Sequence, residues 1–138
     1  MMIVARIIVL SLLTLTFSYS MAYENEAMLT TDNRIRTYKY NPNDVYLLVI
    51  YSGFQSSIEF AKDETVETIA AGDSYAWQMT PLGNRLFIKS IERNIRTNVT
   101  IITNKRTYQI DLASKELEDG DENDLVYVMR FQYPKRLR

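Results

Sequence analysis

The residue types that most often do chemistry in proteins are scarce in this chain. Its 138 residues include no histidine and no cysteine, which excludes a Ser-His-Asp triad, a Cys-His pair and a histidine-ligated metal. The lack of cysteine also excludes a disulfide framework and a thiolate nucleophile. Carboxylates are therefore the remaining side chains on which acid-base catalysis or metal binding would have to rest.

The densest group of carboxylates is the acidic run ELEDGDEND, which ends at Asp124. Asp119, Asp121 and Asn123 have the spacing of the first three ligands of an EF-hand calcium loop. The rest of that pattern is missing, because its glycine position holds Asp124 and its final glutamate position holds Arg130. We interpret the run as a solvated loop with ionised carboxylates, and we expect no catalytic residue, no metal site and no cofactor.

Binding of nucleotides or nucleic acid has little support in the sequence. The chain has four glycines, and none has the spacing of a phosphate-binding loop. Its formal net charge of −1 provides no uniform field to attract nucleic acid or an anionic membrane. Basic residues between 85 and 106 are interleaved with Phe87 and Tyr108, as on some single-strand binders, but the acidic residues elsewhere argue against that function. We expect neither nucleic acid nor a small-molecule substrate.

The predicted strands of this chain come after an N-terminal export signal. Residues 1–22 have the composition of a secretory signal peptide, with an apolar run at 7–17 followed by small residues, and cleavage is expected after Ser20 or Ala22. The alternative, an uncleaved membrane anchor, needs about 20 apolar residues, and this run is shorter. We therefore expect a protein of the periplasm of a Gram-negative bacterium, with a flexible lead at 23–32.

The rest of the chain has the pattern of an all-β protein. Short segments rich in Val, Ile, Thr, Tyr and Phe are separated by Asn, Gly, Pro and Asp. The pattern predicts strands at 35–40, 45–51, 57–60, 65–69, 74–79, 85–91, 98–103, 106–112 and 125–133. Two packed antiparallel sheets account for them most simply, as a β-sandwich of about 8–9 short strands over 33–134, followed by a basic tail at 135–138.

Several local features refine this prediction. The stretch 97–112 predicts a hairpin with its turn at 103–106. Residues 45–50 are apolar on both faces and predict a central strand that is covered on both sides. One helix candidate is the short stretch 113–117. Two core-facing stripes follow from alternation along their strands, and their members are Tyr75, Trp77 and Met79 in one and Leu125, Tyr127, Met129, Phe131 and Tyr133 in the other.

The chain resembles the CagX/TrbG proteins, the VirB-type component of the outer-membrane core complex of type IV secretion systems. The resemblance lies in the order and spacing of DNRIRTYKYNPNDVYLLVIYSGFQSSIEF, GDSYAWQM, GNRLFIKS, TNVTIITNKRTYQIDL and VYVMRFQYP. A departure is Ser90, where a proline commonly follows Lys89. The family positions that we expect to serve the structure or an interface are Arg34, Tyr40, Gly72, Asp73, Trp77, Asn84, Lys89, Thr97, Asn98, Arg106, Tyr108, Arg130, Phe131, Tyr133 and Pro134.

The resemblance implies a non-enzymatic structural subunit of the periplasmic core complex. It implies a short form, because family members usually continue past RFQYP into a second β-domain that binds a small outer-membrane lipoprotein. The implied partners are an inner-membrane-anchored scaffold protein, and copies of the chain or a full-length relative in a ring. An edge strand has unpaired N–H and C=O groups that can accept an extended segment of such a partner. The alternative is a free periplasmic β-sandwich binding module or assembly modulator outside the ring.

Overall fold

The computed structural model describes residues 32–135, and the regular secondary structure of this part of the chain is almost entirely β. It contains nine strands and one short 3-10 helix, Asp121–Asn123, which confirms the predicted all-β class. The strands are β1 (Ile35–Lys39), β2 (Val45–Tyr51), β3 (Gln55–Glu59), β4 (Val66–Ala71), β5 (Trp77–Leu82), β6 (Arg85–Ser90), β7 (Arg96–Thr103), β8 (Thr107–Lys115) and β9 (Val128–Gln132). No helix within residues 32–135 is long and apolar enough to cross a membrane.

The strands form two sheets that pack as a sandwich. The five-stranded sheet has the order β1-β9-β3-β6-β5, and the four-stranded sheet has the order β2-β8-β7-β4. The core lies between them, with apolar side chains contributed by both sheets, among them Leu48, Ile58, Ile88, Ile101 and Met129, each at most 1% exposed. The β-sandwich prediction is therefore confirmed.

The prediction that all strands pair antiparallel is wrong for part of the structure. β1 and β3 each pair parallel with β9, and β2 pairs parallel with β8. The remaining ladders, β3–β6, β5–β6, β4–β7 and β7–β8, are antiparallel. Of these ladders, only β5–β6 and β7–β8 join consecutive strands through a short turn, which forces antiparallel pairing and is what a local pattern detects. Each parallel pair instead joins strands far apart in the sequence, and no turn signal reports on their orientation.

The predicted hairpin at 97–112 is confirmed by the antiparallel pair β7–β8. Its turn closes with a hydrogen bond from the Thr103 amide to the Arg106 carbonyl at 2.9 Å. The Thr103 hydroxyl oxygen accepts from the amides of Lys105 and Arg106, at 3.2 and 3.0 Å. A threonine side chain thus holds the turn in place of the glycine that tight hairpins usually use.

The strand predicted to be central is an edge strand. β2 has β8 as its single partner, so one side of its backbone has no ladder within residues 32–135. Tyr46, Leu48 and Ile50 point into the core, whereas Val45 and Leu47 are 66% and 54% exposed. The apolar run indicates two apolar faces, but it does not indicate whether both are covered.

Three local predictions also need correction. Tyr75 is 91% exposed because β5 begins only at Trp77, so Tyr75 does not continue the core-facing stripe. Tyr127 is likewise exposed, since it precedes β9, and its neighbour Val126 is buried instead. The helix candidate at 113–117 belongs to β8 through Lys115. In each case the strand boundary differs from the limit that alternation had predicted.

The predicted signal peptide at 1–22 lies outside the described residues. The same holds for the lead at 23–32 apart from its last residue, Asp32, and for the basic tail at 135–138 apart from Lys135. These boundaries remain predictions.

Candidate functional site

Five side chains meet at one end of the sandwich around a buried carboxylate, and we call them the Glu64 cluster: Glu64, Thr103, Arg106, Tyr108 and Tyr133. The Thr103 hydroxyl donates to Glu64 Oε2 at 2.7 Å, and the Tyr108 hydroxyl lies 2.9 Å from the same oxygen. Arg106 forms an ion pair with Glu64 Oε1. A carboxylate removed from water is thus paired with a cation and with hydroxyl donors, as a buried charge requires.

A chain of hydrogen bonds leads from the cluster into the backbone. The Tyr108 and Tyr133 hydroxyls are 2.8 Å apart, and the Tyr133 oxygen accepts from the Ala61 amide at 3.1 Å. The Arg106 guanidinium lies over the Tyr133 ring, 3.9 Å from its centroid. The cluster therefore joins the loop before β4, the turn after β7 and the segment after β9, which come from both sheets.

The pKa values of the two tyrosines and the arginine of the cluster make these three side chains poor bases. Burial raises the pKa of Tyr133 to about 12, and burial together with the Tyr133 hydroxyl and the Glu64 carboxylate also raises the pKa of Tyr108. Burial lowers the pKa of Arg106, but the Glu64 carboxylate outweighs this effect and the net pKa is raised. The tyrosines therefore stay neutral and the arginine stays charged at neutral pH, so none of the three is a base.

Two further aromatic residues predicted as site residues pack beside the cluster. The Tyr40 hydroxyl donates to the Thr107 carbonyl at 3.1 Å, and its ring centroid is 5.1 Å from that of Tyr108. The Phe131 ring centroid is 5.0 Å from that of Tyr108. The structure thus brings together five of the predicted positions, namely Tyr40, Arg106, Tyr108, Phe131 and Tyr133.

A second group of predicted residues forms a corner at the end of β4. Gly72 donates its amide to the Asn98 carbonyl at 3.0 Å, and the next amide, of Asp73, donates to Thr97 Oγ1 at 2.9 Å. The Asp73 carboxylate accepts from the amides of Tyr75 and Ala76, at 3.0 and 3.3 Å. These four predicted residues, Gly72, Asp73, Thr97 and Asn98, hold the chain as it leaves one sheet for the other.

The other predicted residues are scattered over the fold. Trp77 is buried in the core, and the Asn84 side chain donates to the Phe60 carbonyl at 3.0 Å. Lys89 and Pro134 are exposed. Arg34 pairs with Asp32 and lies over the Tyr127 ring, while Arg130 lies 3.3 Å from the Glu59 carboxylate. These residues do not converge on a common site.

Acidic side chains do not converge on a metal position either. Within residues 32–135, the structure contains no group of three or more acidic side chains that could hold a metal ion. The acidic run lies in the connection between β8 and β9, and most of its side chains are exposed. The exposure of these side chains agrees with the prediction that the run is a solvated loop.

The sheet edges differ in how well they are protected against pairing with another chain. β4 carries a bulge between Val66 and Thr68, β5 contains Pro81, and β1 is short and carries Arg36 and Lys39. Bulges, prolines and charged residues are the devices that keep edge strands from pairing. β2 has none of them, since its seven residues VYLLVIY include no charge, no proline and no bulge.

A groove follows this unprotected edge, and we call it the β2 groove. It has a volume of about 260 Å³ and lies between the two edge strands β1 and β2. Five of its eight lining residues are apolar or aromatic. The lining residues are Arg36, Tyr38, Leu47, Val49, Tyr51, Lys115, Asp124 and Val126. An open strand edge beside an apolar groove is the arrangement that accepts an added strand.

Sequence reasoning left two parts of these sites incomplete. The resemblance to the CagX/TrbG proteins includes Glu64 and Thr103, but the polar stretch AKDET around Glu64 does not indicate burial, which follows only from the contact of the loop with the β7–β8 turn. The outer face of β2 was visible as an apolar pattern, but the prediction of a central strand placed it in the interior. The apolar run at 45–50 carries no signal that separates an open apolar face from a covered one, so the edge position of β2 could not be read from it.

Comparisons with known proteins place these features in context. The family model described as CagX, conjugal transfer protein, matches residues 33–138. The type IV secretion system protein virB9 of Bartonella henselae is 36% identical over 109 residues, which cover 75% of this chain and 38% of the relative. The type IV secretion system protein PtlF of Bordetella pertussis is 28% identical over 121 residues, covering 75% and 44%.

A third relative is the protein virB9 of Agrobacterium tumefaciens, which is 33% identical over 109 residues, covering 75% of this chain and 37% of the relative. The chain therefore matches less than half of the length of each of these relatives.

Proposed function

Because this chain belongs to the CagX family of conjugal transfer proteins, we propose that it is a non-enzymatic structural subunit of a type IV secretion system. The relatives named virB9 and PtlF, both described as type IV secretion system proteins, support this assignment. The proposal concerns the β-sandwich at 33–134. It places the sandwich in the periplasm, in the outer-membrane core complex, after removal of a signal peptide at 1–22.

The observation that carries the proposal is the unprotected apolar edge of β2. A sandwich that worked alone in solution would expose a template for aggregation there, since Val45 and Leu47 are among its most exposed large apolar side chains. A subunit of an assembly covers such an edge with a neighbour. We therefore propose that the β2 groove binds an extended segment of another protein of the channel, for which the inner-membrane-anchored scaffold protein is the candidate.

The predicted family positions have a different role in this proposal. Most of them hold the sandwich together, through the Glu64 cluster and the corner at Gly72, and leave the contact with partners to the surface of β2. Copies of the chain, or a full-length relative, pack side by side in a ring through other faces, as heterologous contacts closed by rotation.

Size-exclusion chromatography with the periplasmic part of the scaffold protein tests the proposal. The unmodified chain should co-elute with the scaffold. Leu47→Glu places a charge on the β2 edge and should abolish co-elution, whereas Leu82→Glu should not. Leu82 is the matched control, because it is also an exposed leucine, 70% exposed, on the edge strand β5.

The possible results separate the candidate functions. Circular dichroism of both variants checks that the fold is retained. A chain that elutes alone and ignores the scaffold would contradict the proposal and favour a free periplasmic binding module. Equal binding by both variants would leave a channel subunit but would remove the β2 edge from its interface.

A further inference from the structure

The β2 groove has a distinct electrostatic character at one end. A second cavity of about 410 Å³ adjoins it, and Tyr51, Lys115 and Asp124 line both. The second cavity is lined in addition by Asn94, Glu116, Glu118 and Asp121. The surface that continues the apolar groove past the end of β2 is therefore rich in carboxylates.

Most of these carboxylates have no cation of their own. Glu116 pairs with Arg93, but among residues 32–135 no ion pair engages Glu118, Asp121 or Asp124. Of the residues that the structure describes, Lys115 is the single cationic side chain that lines the second cavity. The charge at this end is thus negative in excess, and it borders Tyr51, the last residue of β2.

The one arginine of the groove does not reverse this balance. The Arg36 guanidinium donates to the backbone carbonyls of Asn33, Asn123 and Asp124, at 3.2 to 3.4 Å. It therefore holds the acidic connection against β1. In addition, burial raises the pKa of Tyr51, the nearby carboxylates of Asp121 and Asp124 raise it further, and Arg36 lowers it in part, which indicates that the fields of all three charged groups reach the end of β2.

We propose that the occupant of the β2 groove is an extended segment of another protein, with apolar side chains at alternate positions and lysine or arginine at the end beside Tyr51. The inference rests on the proposed function, because it specifies the chemistry of the partner at the same edge. The alternate apolar side chains contact Leu47 and Val49, and the backbone pairs with the open side of β2. The basic end lies over Glu118, Asp121 and Asp124.

Fluorescence anisotropy with labelled peptides tests the chemistry directly. The first probe alternates valine and threonine over about seven residues, the length of β2, and ends in two lysines. The second probe has two glutamates in place of the lysines. The lysine probe should bind about tenfold more tightly, which corresponds to two exposed ion pairs of ordinary strength. The difference should shrink in about 0.5 M salt, where the screening length is only a few ångströms.

Variants of the chain locate the effect. Asp121→Asn combined with Asp124→Asn should remove most of the preference for the lysine probe. Asp44→Asn combined with Glu67→Gln removes the same charge from exposed positions before β2 and on β4, and should preserve the preference. Amide chemical shifts in NMR spectra should change mainly along β2 and around the two cavities.

Each contrary outcome has a definite meaning. Equal affinity for the two probes, no binding of either, or shift changes confined to another face would overturn the inference. Self-association of the chain that is lost in Leu47→Glu would also overturn it, because the occupant would then be a second copy. If the scaffold protein is captured by the double asparagine variant but not by Leu47→Glu, the proposed function stands and only the basic character of the segment fails.

Discussion

Replacing Glu64 with glutamine tests whether the Glu64 cluster holds the two sheets together. The change keeps the volume of the side chain but removes its charge and turns one oxygen into an NH₂ donor. In either orientation of the new amide, this donor faces another donor, either the Arg106 guanidinium or the Thr103 hydroxyl. The Thr103 oxygen cannot accept a hydrogen bond from the new amide, because it already accepts from two amides of its own turn.

The expected loss follows from these contacts. A hydrogen bond to a charged group contributes about 1.5–3 kcal/mol, and the bond from Thr103 is either lost or weakened to a bond with a neutral amide oxygen. The ion pair with Arg106 adds at most about 1 kcal/mol, because the Arg106 side chain is 27% exposed and water screens it. The free energy of unfolding should therefore fall by about 2–4 kcal/mol, a large part of the about 5–15 kcal/mol typical of a domain.

Urea denaturation at neutral pH measures this loss, with the fluorescence of Trp77 as the probe. Trp77 is the only tryptophan of the chain and is buried, so its emission should report on unfolding of the core. Glu67→Gln is the control, since it makes the same chemical change at an exposed position of β4. Surface changes of this kind usually stay within about 0.5 kcal/mol.

A small effect would refute the reasoning. If Glu64→Gln costs less than about 1 kcal/mol, no more than an ordinary surface change, the carboxylate is hydrated and the cluster does not join the sheets. A double-mutant cycle with Thr103→Val gives an independent check. The two changes should be coupled by more than about 0.5 kcal/mol, and simple additivity would contradict a direct hydrogen bond.

Three further predictions concern other positions. Trp77→Ala should lower the free energy of unfolding, followed by circular dichroism, by about 3–5 kcal/mol, and a loss below about 1 kcal/mol would place the ring outside the core. Gly72→Ala should destabilise by about 1–2 kcal/mol in urea titrations, because the new Cβ would lie 2.9 Å from Thr97 Oγ1; a gain in stability would contradict this. Burial raises the pKa of Tyr133 to about 12 from 10.0, so between these pH values the folded state keeps a proton that the unfolded state loses. The neutral Tyr133 therefore contributes stability that is fully present below about pH 10 and is lost as pH rises through about 12. Tyr133→Phe should reduce the alkaline loss of stability measured by urea titrations at several pH values, and an unchanged pH dependence would refute the assignment.

Much of the fold could be predicted from local pattern because strand formation depends on alternation and on turn residues nearby in the chain. All of the predicted segments correspond to observed strands, with boundaries that differ by a few residues. The β7–β8 hairpin was predictable for the same reason, since its two strands are joined by a short polar turn. The Glu64 cluster was not, because its members lie up to 69 positions apart, from Glu64 to Tyr133, and meet only when the sheets pack.

The amino-acid sequence by itself determined the all-β class, the succession of strands and the lack of a histidine- or cysteine-based centre, since each depends on residue type and short-range order. The packed structure alone decided which strands lie at the edges, that β9 lies between β1 and β3, and that the apolar outer face of β2 remains open. The physical reason is that strand pairing depends on backbone hydrogen bonds between distant segments. Such bonds use the same N–H and C=O groups at every residue and leave no local signature.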